Sequence, residues 1–167
     1  MQLRSRWLPG ILAIVAAACS PDGKDSVHST VVPRQAFVDA TEASGIQFRH
    51  FNGRNGEFDY PEIIGSGVAL LDYDNDGKLD ILVMQGAPLG PGANPGPPKD
   101  ACTARLYHND LVVNADGSRV LKFTDVTEAS RLCSRGYGMG VAIGDFDNDG
   151  CVDIFITHFG APNQLFH

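Results

Sequence analysis

Residues 67–83 read GVALLDYDNDGKLDILV, and residues 140–156 read GVAIGDFDNDGCVDIFI. In both stretches a short apolar run leads into an acidic cluster, and a second apolar run follows it. The runs contain β-branched residues and are bounded by turn residues, so they predict strands. The four predicted strands cover residues 68–71, 81–84, 141–143 and 154–156. Each acidic cluster is therefore expected to join the two strands of a hairpin.

Two further blocks are duplicated in the same order as the hairpins. Residues 37–46 (FVDATEASGI) return as residues 123–132 (FTDVTEASRL), and residues 105–108 (RLYH) are matched by residues 164–167 (QLFH). Three matched blocks indicate a duplicated unit of several strands. Because the hairpin strands are apolar at successive positions, we expect both faces of each sheet to be covered, as in the stacked blades of a β-propeller.

The predicted fold class is all-β, with antiparallel strands forming about two blades of an incomplete propeller. The predicted repeats cover residues 36–110 and 111–167. Residues 86–98 (GAPLGPGANPGPP) cannot join a strand ladder, so we expect them to form a surface loop between two strands of one blade.

Each acidic cluster has Asp at positions 1, 3, 5 and 9 of a nine-residue loop and Gly at position 6, where Gly77 and Gly150 allow a turn. The aspartates are Asp72, Asp74, Asp76 and Asp80 in the first loop, and Asp145, Asp147, Asp149 and Asp153 in the second. Four crowded carboxylates repel one another, and a bound hard cation is the usual compensation. Oxygen ligands in a flexible loop favour Ca²⁺ over zinc, copper or Mg²⁺, which predicts two calcium sites.

By analogy with other such loops, the backbone carbonyls of Lys78 and Cys151 at position 7 would also bind the ion, with no role for either side chain. An EF-hand is excluded because position 12 is Val83 or Ile156, inside a predicted strand, instead of Glu before a helix. A dehalogenase-type phosphatase needs one nucleophilic Asp, and two equivalent loops argue against that. Solvated acidic turns without an ion remain the alternative.

The charge balance argues against a nucleic-acid partner. The chain has 13 Lys plus Arg and 20 Asp plus Glu, giving a net charge of −7. Nucleic-acid binders need a basic surface, so none is expected as a partner. Eight of the 20 acidic residues lie in the two loops, which makes the acidity local and points to cations.

The N-terminus has the pattern of an export signal. Arg4 and Arg6 precede a 12-residue apolar run, which is too short to span a bilayer, and three alanines lead into Cys19. This resembles a lipoprotein signal: residues 1–18 as signal peptide, Cys19 as the lipidated first mature residue and residues 19–35 as a flexible tether. The expected location is the bacterial outer membrane or cell surface, with the lipid anchor as the membrane contact. An ordinary signal peptide, giving a periplasmic or secreted protein, or an incidental cysteine remain alternatives.

Residues 65–77 and 138–150 resemble FG-GAP or VCBS repeats, the calcium-binding blades of integrin-α-type propellers. Residues 123–130 and 105–109 more closely resemble the bacterial ASPIC/UnbV, cartilage-acidic-protein-like family. The resemblance covers residues 36–167 and implies a propeller of about seven blades, with a C-terminal domain in full members. The sequence stops at His167, where another blade would continue. The expectation is either a fragment or closure of the two units by association.

The remaining cysteines and the histidines are less informative. In an exported protein Cys102 and Cys133 are expected to form a disulfide, with free thiols as the alternative. Ser66 lacks the spacing of a nucleophile elbow. The histidines have no acid or cysteine at a fixed spacing and are interpreted as structural or surface residues: His50, His108, His158 and His167. We therefore expect no catalytic activity.

Two functions follow from these observations. The first is an envelope-anchored, calcium-binding scaffold for an unknown protein or carbohydrate ligand. The second is the N-terminal fragment of a larger secreted protein whose activity lies in a C-terminal domain.

Overall fold

The computed structural model describes residues 37–92, 96 and 101–167. Residues 38–167 form one compact unit. The predicted signal peptide, Cys19 and the tether lie outside the described residues, as does much of the Pro and Gly insertion. Within the described part of the chain, no helix is long and apolar enough to cross a membrane.

The described residues form strands and two short helices. The helices are α1 (Thr41–Ser44) and α2 (Tyr60–Ile64). The strands are β1 (Val68–Leu71), β2 (Asp80–Met84), β3 (Ala104–Asn109), β4 (Val112–Val113), β5 (Arg119–Val120), β6 (Phe123–Asp125), β7 (Tyr137–Gly144), β8 (Asp153–Phe159) and β9 (Gln164–Phe166). Every strand pair is antiparallel, which confirms the predicted all-β class.

The first sheet has the strand order β1-β2-β3-β6. Strands β4 and β5 form a separate two-stranded hairpin between β3 and β6. The register places Ala69 opposite Leu82 and Leu82 opposite Leu106, so these three side chains share one face. The described part of the insertion, residues 86–92 and 96, contains no strand and lies between β2 and β3 of this sheet, in agreement with its predicted position.

The second sheet has the order β7-β8-β9. Its register repeats that of the first sheet: Ala142 lies opposite Phe155, and Phe155 lies opposite Leu165. A break in the register lies between Gly138 and Val141 in β7. Both acidic clusters join paired antiparallel strands, so the two predicted hairpins are confirmed.

The core lies between the two sheets. Its buried residues are Leu71, Leu82, Met84, Ala104, Leu106, Leu132, Ile154 and Ile156. The sheets approach closely at β7, where a Cβ atom on Gly138 would lie 2.6 Å from the Met84 methyl carbon. The Gly67 N–H also donates a hydrogen bond to the Met139 carbonyl at 2.7 Å. This close packing fixes the two acidic hairpins relative to each other.

The expectation that both faces of each sheet are covered is met only in part among the described residues. On the outer face of the first sheet Val68 is 64% exposed and Leu70 is 59% exposed. On the outer face of the second sheet Phe155 is 41% exposed and Leu165 is 53% exposed. On the same face of the first sheet as Leu70, however, Tyr107 is only 2% exposed, and its hydroxyl donates to the Gln47 carbonyl at 3.0 Å. The segment between α1 and α2 therefore covers part of that face.

A disulfide joins Cys102, before β3, to Cys133, between β6 and β7. It therefore connects the first sheet to the segment that leads into the second. Cys151 is free and exposed.

Candidate metal sites

The first acidic loop is organised by its own carboxylates. Asp72 accepts hydrogen bonds from the backbone N–H groups of Asp76 at 3.0 Å and Gly77 at 2.9 Å. Asn75 and Gly77 adopt positive φ values of 58° and 81°, which close the turn. Asn and Gly tolerate this left-handed conformation better than other residues, so the sequence DNDG suits the turn.

Asp80, at position 9 of the first loop, is fully buried. Its carboxylate accepts the backbone N–H of Tyr73 at 3.1 Å and that of Asn109, in β3, at 2.8 Å. The Asn109 side chain in turn donates to the Leu79 carbonyl at 2.9 Å. Asp80 thus ties the start of the loop, its end and the neighbouring strand together.

The second loop repeats this geometry. Asp145 accepts the N–H groups of Asp149 at 3.1 Å and Gly150 at 2.9 Å. Asp153 is buried and accepts the N–H of Phe146 at 2.8 Å. Asn148 has a φ of 60° and Gly150 a φ of 88°, nearly the values in the first loop. The two loops therefore form the same hydrogen bonds at equivalent positions of the duplicated sequence.

In each loop the carboxylates converge. Ligand atoms of Asp72, Asp74 and Asp80 all lie within 4.8 Å of one another, and so do those of Asp145, Asp147 and Asp149. Clusters of three carboxylate oxygens fit a hard cation such as Ca²⁺, which takes oxygen ligands at short distances. The donor chemistry therefore fits the predicted ion.

Two histidines join the clusters, and the sequence interpretation missed this role. The His108 Nε2 atom lies 3.3 Å from Asp74 and 3.4 Å from Asp76, while its Nδ1 atom contacts Asp110 at 2.7 Å. His167 contacts Asp153 at 2.8 Å through Nδ1 and Asp149 at 3.7 Å through Nε2. Both belong to the duplicated Leu-aromatic-His motif, which was the available sequence signal.

The carboxylates change the acid–base properties of both histidines. The hydrogen bond to Asp110 raises the pKa of His108. The hydrogen bond to Asp153 raises the pKa of His167. Each ring also stacks edge-on against the aromatic residue at position 2 of its loop, His108 on Tyr73 and His167 on Phe146. The loops are therefore each covered on one side by a ring that favours a positive charge.

Position 7 differs between the loops. The backbone N–H of Lys78 donates to Asp76 at 2.8 Å, and the Cys151 N–H donates to Asp149 at 2.8 Å. The Lys78 ammonium group also contacts the Asp76 carboxylate, which lowers the pKa of Asp76. The expectation that neither side chain has a role is thus incomplete for Lys78.

The loops lie side by side. The Asn75 side chain donates to the Gly150 carbonyl at 3.4 Å, which directly connects the first loop to the second. All eight predicted aspartates belong to three-membered groups of converging ligand atoms. Six lie in the two all-carboxylate groups, while Asp76 is grouped with Asp74 and His108, and Asp153 with Asp147 and His167.

Other polar groups lie away from the loops. Ser134 contacts the His158 Nε2 atom at 2.7 Å, but Ser134 is fully buried, so a substrate has no access to its hydroxyl. A groove of about 660 Å³ runs beside the disulfide. Its charged lining residues are Arg105, Asp125, Glu128 and Arg131.

Comparisons with known proteins add one relationship. Human cartilage acidic protein 1 is 24% identical over 161 residues, covering 73% of this chain. The chain spans 22% of that relative's length. No family model matches, and no solved structure matches. The similarity loosely supports a relationship to the cartilage acidic protein family.

Proposed function

We propose that this chain is a calcium-binding propeller-repeat lipoprotein of the bacterial envelope that serves as a binding or adhesion scaffold. The carrying observation is the pair of matched acidic hairpins, each with three carboxylate ligand atoms within 4.8 Å of one another. Two equivalent sites are typical of a structural ion, because a catalytic centre needs one reactive constellation.

The sheet arrangement supports the blade assignment. The first sheet is an antiparallel four-stranded sheet. Its strands β1 and β2 pair in the same register as the corresponding strands β7 and β8 of the second sheet. Face-to-face packing of successive small sheets is the way propeller blades cover their apolar surfaces. FG-GAP or VCBS repeats are the family of blades that the two loops most resemble.

The loop chemistry supports Ca²⁺ as the ion. Carboxylates dominate both clusters, and a histidine contacts each of them: His108 from β3, and His167 from the position directly after β9. Oxygen-rich sites favour Ca²⁺, whereas a zinc site needs nitrogen or sulfur as its main ligands. The bound ion would relieve the repulsion among the carboxylates and so stabilise the hairpins.

Calcium titration tests this proposal. Extracellular modules of this chemistry bind Ca²⁺ at about 10⁻⁴ to 10⁻³ M, and a tenfold excess over the dissociation constant adds about 1.4 kcal/mol per site. Calorimetry of the full chain should show two sites, and its melting temperature should rise with free Ca²⁺. Mg²⁺ should replace Ca²⁺ poorly because it requires a tighter octahedral shell.

Matched variants assign the sites. Asp74→Ala and Asp147→Ala should each remove one site and leave the other. Glu57→Ala, an exposed acidic residue outside both loops, is the control and should retain two sites. A folded chain with neither binding heat nor a calcium-dependent melting shift would show that the loops are bare acidic turns.

The envelope location is tested at Cys19. The basic start, apolar run and alanines before Cys19 support lipid attachment. A bacterial host fed a palmitate analogue should label the full chain, and Cys19→Ala should abolish the labelling. Equal labelling of both proteins would contradict the anchor and favour a periplasmic or secreted location.

The proposed class of ligand is inferred from features of the protein surface. We propose an unknown protein or carbohydrate as partner, with no nucleic acid, and the charged groove beside the disulfide is one surface suited to it. The alternative function is the N-terminal part of a larger secreted ASPIC/UnbV-type protein. This alternative is favoured because the chain spans only 22% of the length of the human relative. Continued repeats and a terminal domain in the downstream reading frame would support it.

A further inference from the structure

The duplicated block at residues 37–46 and 123–132 borders a groove in both of its copies. The N-terminal groove, of about 520 Å³, is lined by Asp39, Thr41, Glu42, Gly45, Ile46 and Gln47. The residues at the corresponding positions line the groove beside the disulfide: Asp125, Thr127, Glu128, Arg131, Leu132 and Cys133. Because the same local turn forms both grooves, a difference between them marks a feature that the turn itself does not require.

The two grooves differ at the residue that ends the turn. In the N-terminal groove this residue is Gly45, with a φ of 80°, and in the disulfide groove it is Arg131, with a φ of 59°. Glycine adopts this left-handed conformation freely, whereas a residue with a long side chain is strained there. A strained residue at a position that suits glycine points to a role for its side chain.

The disulfide groove also holds a second guanidinium group in a fixed orientation. Arg105, in β3, donates through Nη1 to the carbonyls of Cys102 at 3.0 Å and Ala104 at 2.9 Å. Its Nε atom lies 3.7 Å from one carboxylate oxygen of Asp125, and the other oxygen accepts the N–H and the hydroxyl of Thr127. Arg105 and Asp125 therefore largely offset each other's charge.

The other two charged side chains of the disulfide groove are free to contact a ligand. Among the described residues, Arg131 and Glu128 form no ion pair and no side-chain hydrogen bond, and both are exposed. A guanidinium group binds a carboxylate through two parallel hydrogen bonds, and a carboxylate accepts hydrogen bonds from hydroxyl groups. A ligand with a carboxylate beside hydroxyl groups would satisfy both side chains.

We propose that the disulfide groove binds an acidic saccharide through the carboxylate of a uronic acid unit, with Arg131 and Arg105 as the donors. The inference rests on the proposed scaffold function and names the class of its ligand. A uronic acid carries its carboxylate and its hydroxyl groups on one pyranose ring, which suits the unlike charges of Arg131 and Glu128. The groove volume of about 660 Å³ lies within the usual range of ligand sites.

Two comparisons support this ligand class over others. An acidic peptide presents carboxylates without neighbouring hydroxyl groups, so it would bring like charge to Glu128. The N-terminal groove contains Asp39 and Glu42 and no basic side chain among its described lining residues, so it should not bind an anionic saccharide. The proposal therefore predicts a single site.

Calorimetric titration of the full chain with trigalacturonate tests the proposal at one fixed Ca²⁺ concentration. Every protein carries Cys19→Ala so that no lipid enters the sample, and heats of the ligand in buffer are subtracted because carboxylates also bind Ca²⁺. We expect one site. Maltotriose, a neutral saccharide of the same length, and triglutamate blocked at both termini should each bind at least about tenfold more weakly.

Arg131→Gly is the most informative variant because it introduces the residue that the duplicated turn already contains. It should weaken trigalacturonate binding about tenfold or more without lowering the melting temperature, since it removes a strained residue. Arg131→Lys should restore part of the affinity, because lysine keeps the charge but cannot form the paired hydrogen bonds. Arg119→Ala, which removes an exposed positive charge in β5, is the matched control and should leave the affinity unchanged.

The calcium titration of the same proteins separates this proposal from the proposed function. Arg131→Gly should retain both calcium sites, because Arg131 lies outside the acidic loops. A folded chain that does not bind trigalacturonate overturns the saccharide site whatever its calcium binding, and saccharide binding without calcium binding contradicts the calcium proposal alone. Equal affinities of Arg131→Gly and the unmodified chain would also overturn the saccharide site. Equal affinities for triglutamate and trigalacturonate would overturn it in favour of an acidic peptide.

Discussion

The two acidic hairpins agree in their internal hydrogen bonds and differ in what surrounds them. In both, the Asp at position 1 accepts two backbone N–H groups of the turn. In the first hairpin the Asp at position 9 is also held by the N–H of Asn109, whereas in the second it is held by the ring of His167. The loop sequence therefore determines the turn, and the neighbouring strand determines how firmly the turn is attached.

This difference predicts unequal stability of the two hairpins, which is the largest expected effect. Asp80→Ala leaves the N–H groups of Tyr73 and Asn109 without their acceptor, while Asp153→Ala leaves one N–H group, that of Phe146. The Asn109 N–H is buried, and a buried donor without a partner costs about 1–3 kcal/mol, whereas the N–H groups of Tyr73 and Phe146 are only partly buried. Urea unfolding in calcium-free buffer should show the larger loss for Asp80→Ala.

The control for that comparison is Asp116→Ala, an acidic residue exposed in the β4–β5 turn, which should cost less than either. Equal losses for Asp80→Ala and Asp153→Ala would show that β3 adds nothing to the first hairpin.

Position 7 supplies a second, smaller test. The Lys78 ammonium contacts Asp76 and so competes with a cation, whereas Cys151 carries no charge that could compete. If the calcium proposal holds, Lys78→Met should raise affinity at the first site, and Cys151→Lys should lower affinity at the second. Exposed ion pairs contribute at most about 1 kcal/mol, so each change should be within about fivefold. Calorimetry measures both, and effects of the same sign would contradict this explanation.

The smallest expected effect is on the pH dependence of folding stability in calcium-free buffer. The pKa values of His108 and His167 are raised in the folded state by hydrogen bonds to Asp110 and Asp153. The folded protein therefore binds more protons, and this stabilisation is complete below the unfolded value of 6.5 and lost as pH rises through the folded-state pKa.

Melting temperatures of His108→Gln and His167→Gln, each compared with the unmodified chain, should differ most at low pH and converge above the folded-state pKa. His108 should have the larger effect because it contacts three carboxylates and His167 contacts two. A difference that grows with rising pH would contradict the assignment. Comparison at equal pH cancels the opposite contributions of His50 and His158, whose pKa values burial lowers.

The hairpins could be predicted from the sequence because their turn is local. Gly77 and the four aspartates of the first loop lie within nine consecutive residues, so their spacing alone indicated the fold of the turn. The histidine contacts could not be read from spacing, because His108 reaches Asp74 only through the pairing of β3 with β2.

The duplicated block at residues 37–46 and 123–132 also shows that local sequence predicts turns but not contacts between strands. Both copies form the same local bonds: Asp39 accepts the N–H of Thr41, and Asp125 accepts the N–H of Thr127, each at 3.0 Å. Only the second copy contains a strand, β6, since only that copy lies beside β3. Local sequence determines a turn, but a strand also needs a partner.

The free thiol of Cys151 lies beside the carboxylates of the second acidic loop. The carboxylate of Asp149 raises the pKa of this exposed cysteine. A thiol reacts with oxidants and disulfides as its thiolate, and a raised pKa keeps more of it in the unreactive protonated form at neutral pH. We therefore expect the acidic loop to slow cross-linking of Cys151, and substitutions that remove the charge of Asp149 should make Cys151 react faster with thiol reagents in calcium-free buffer.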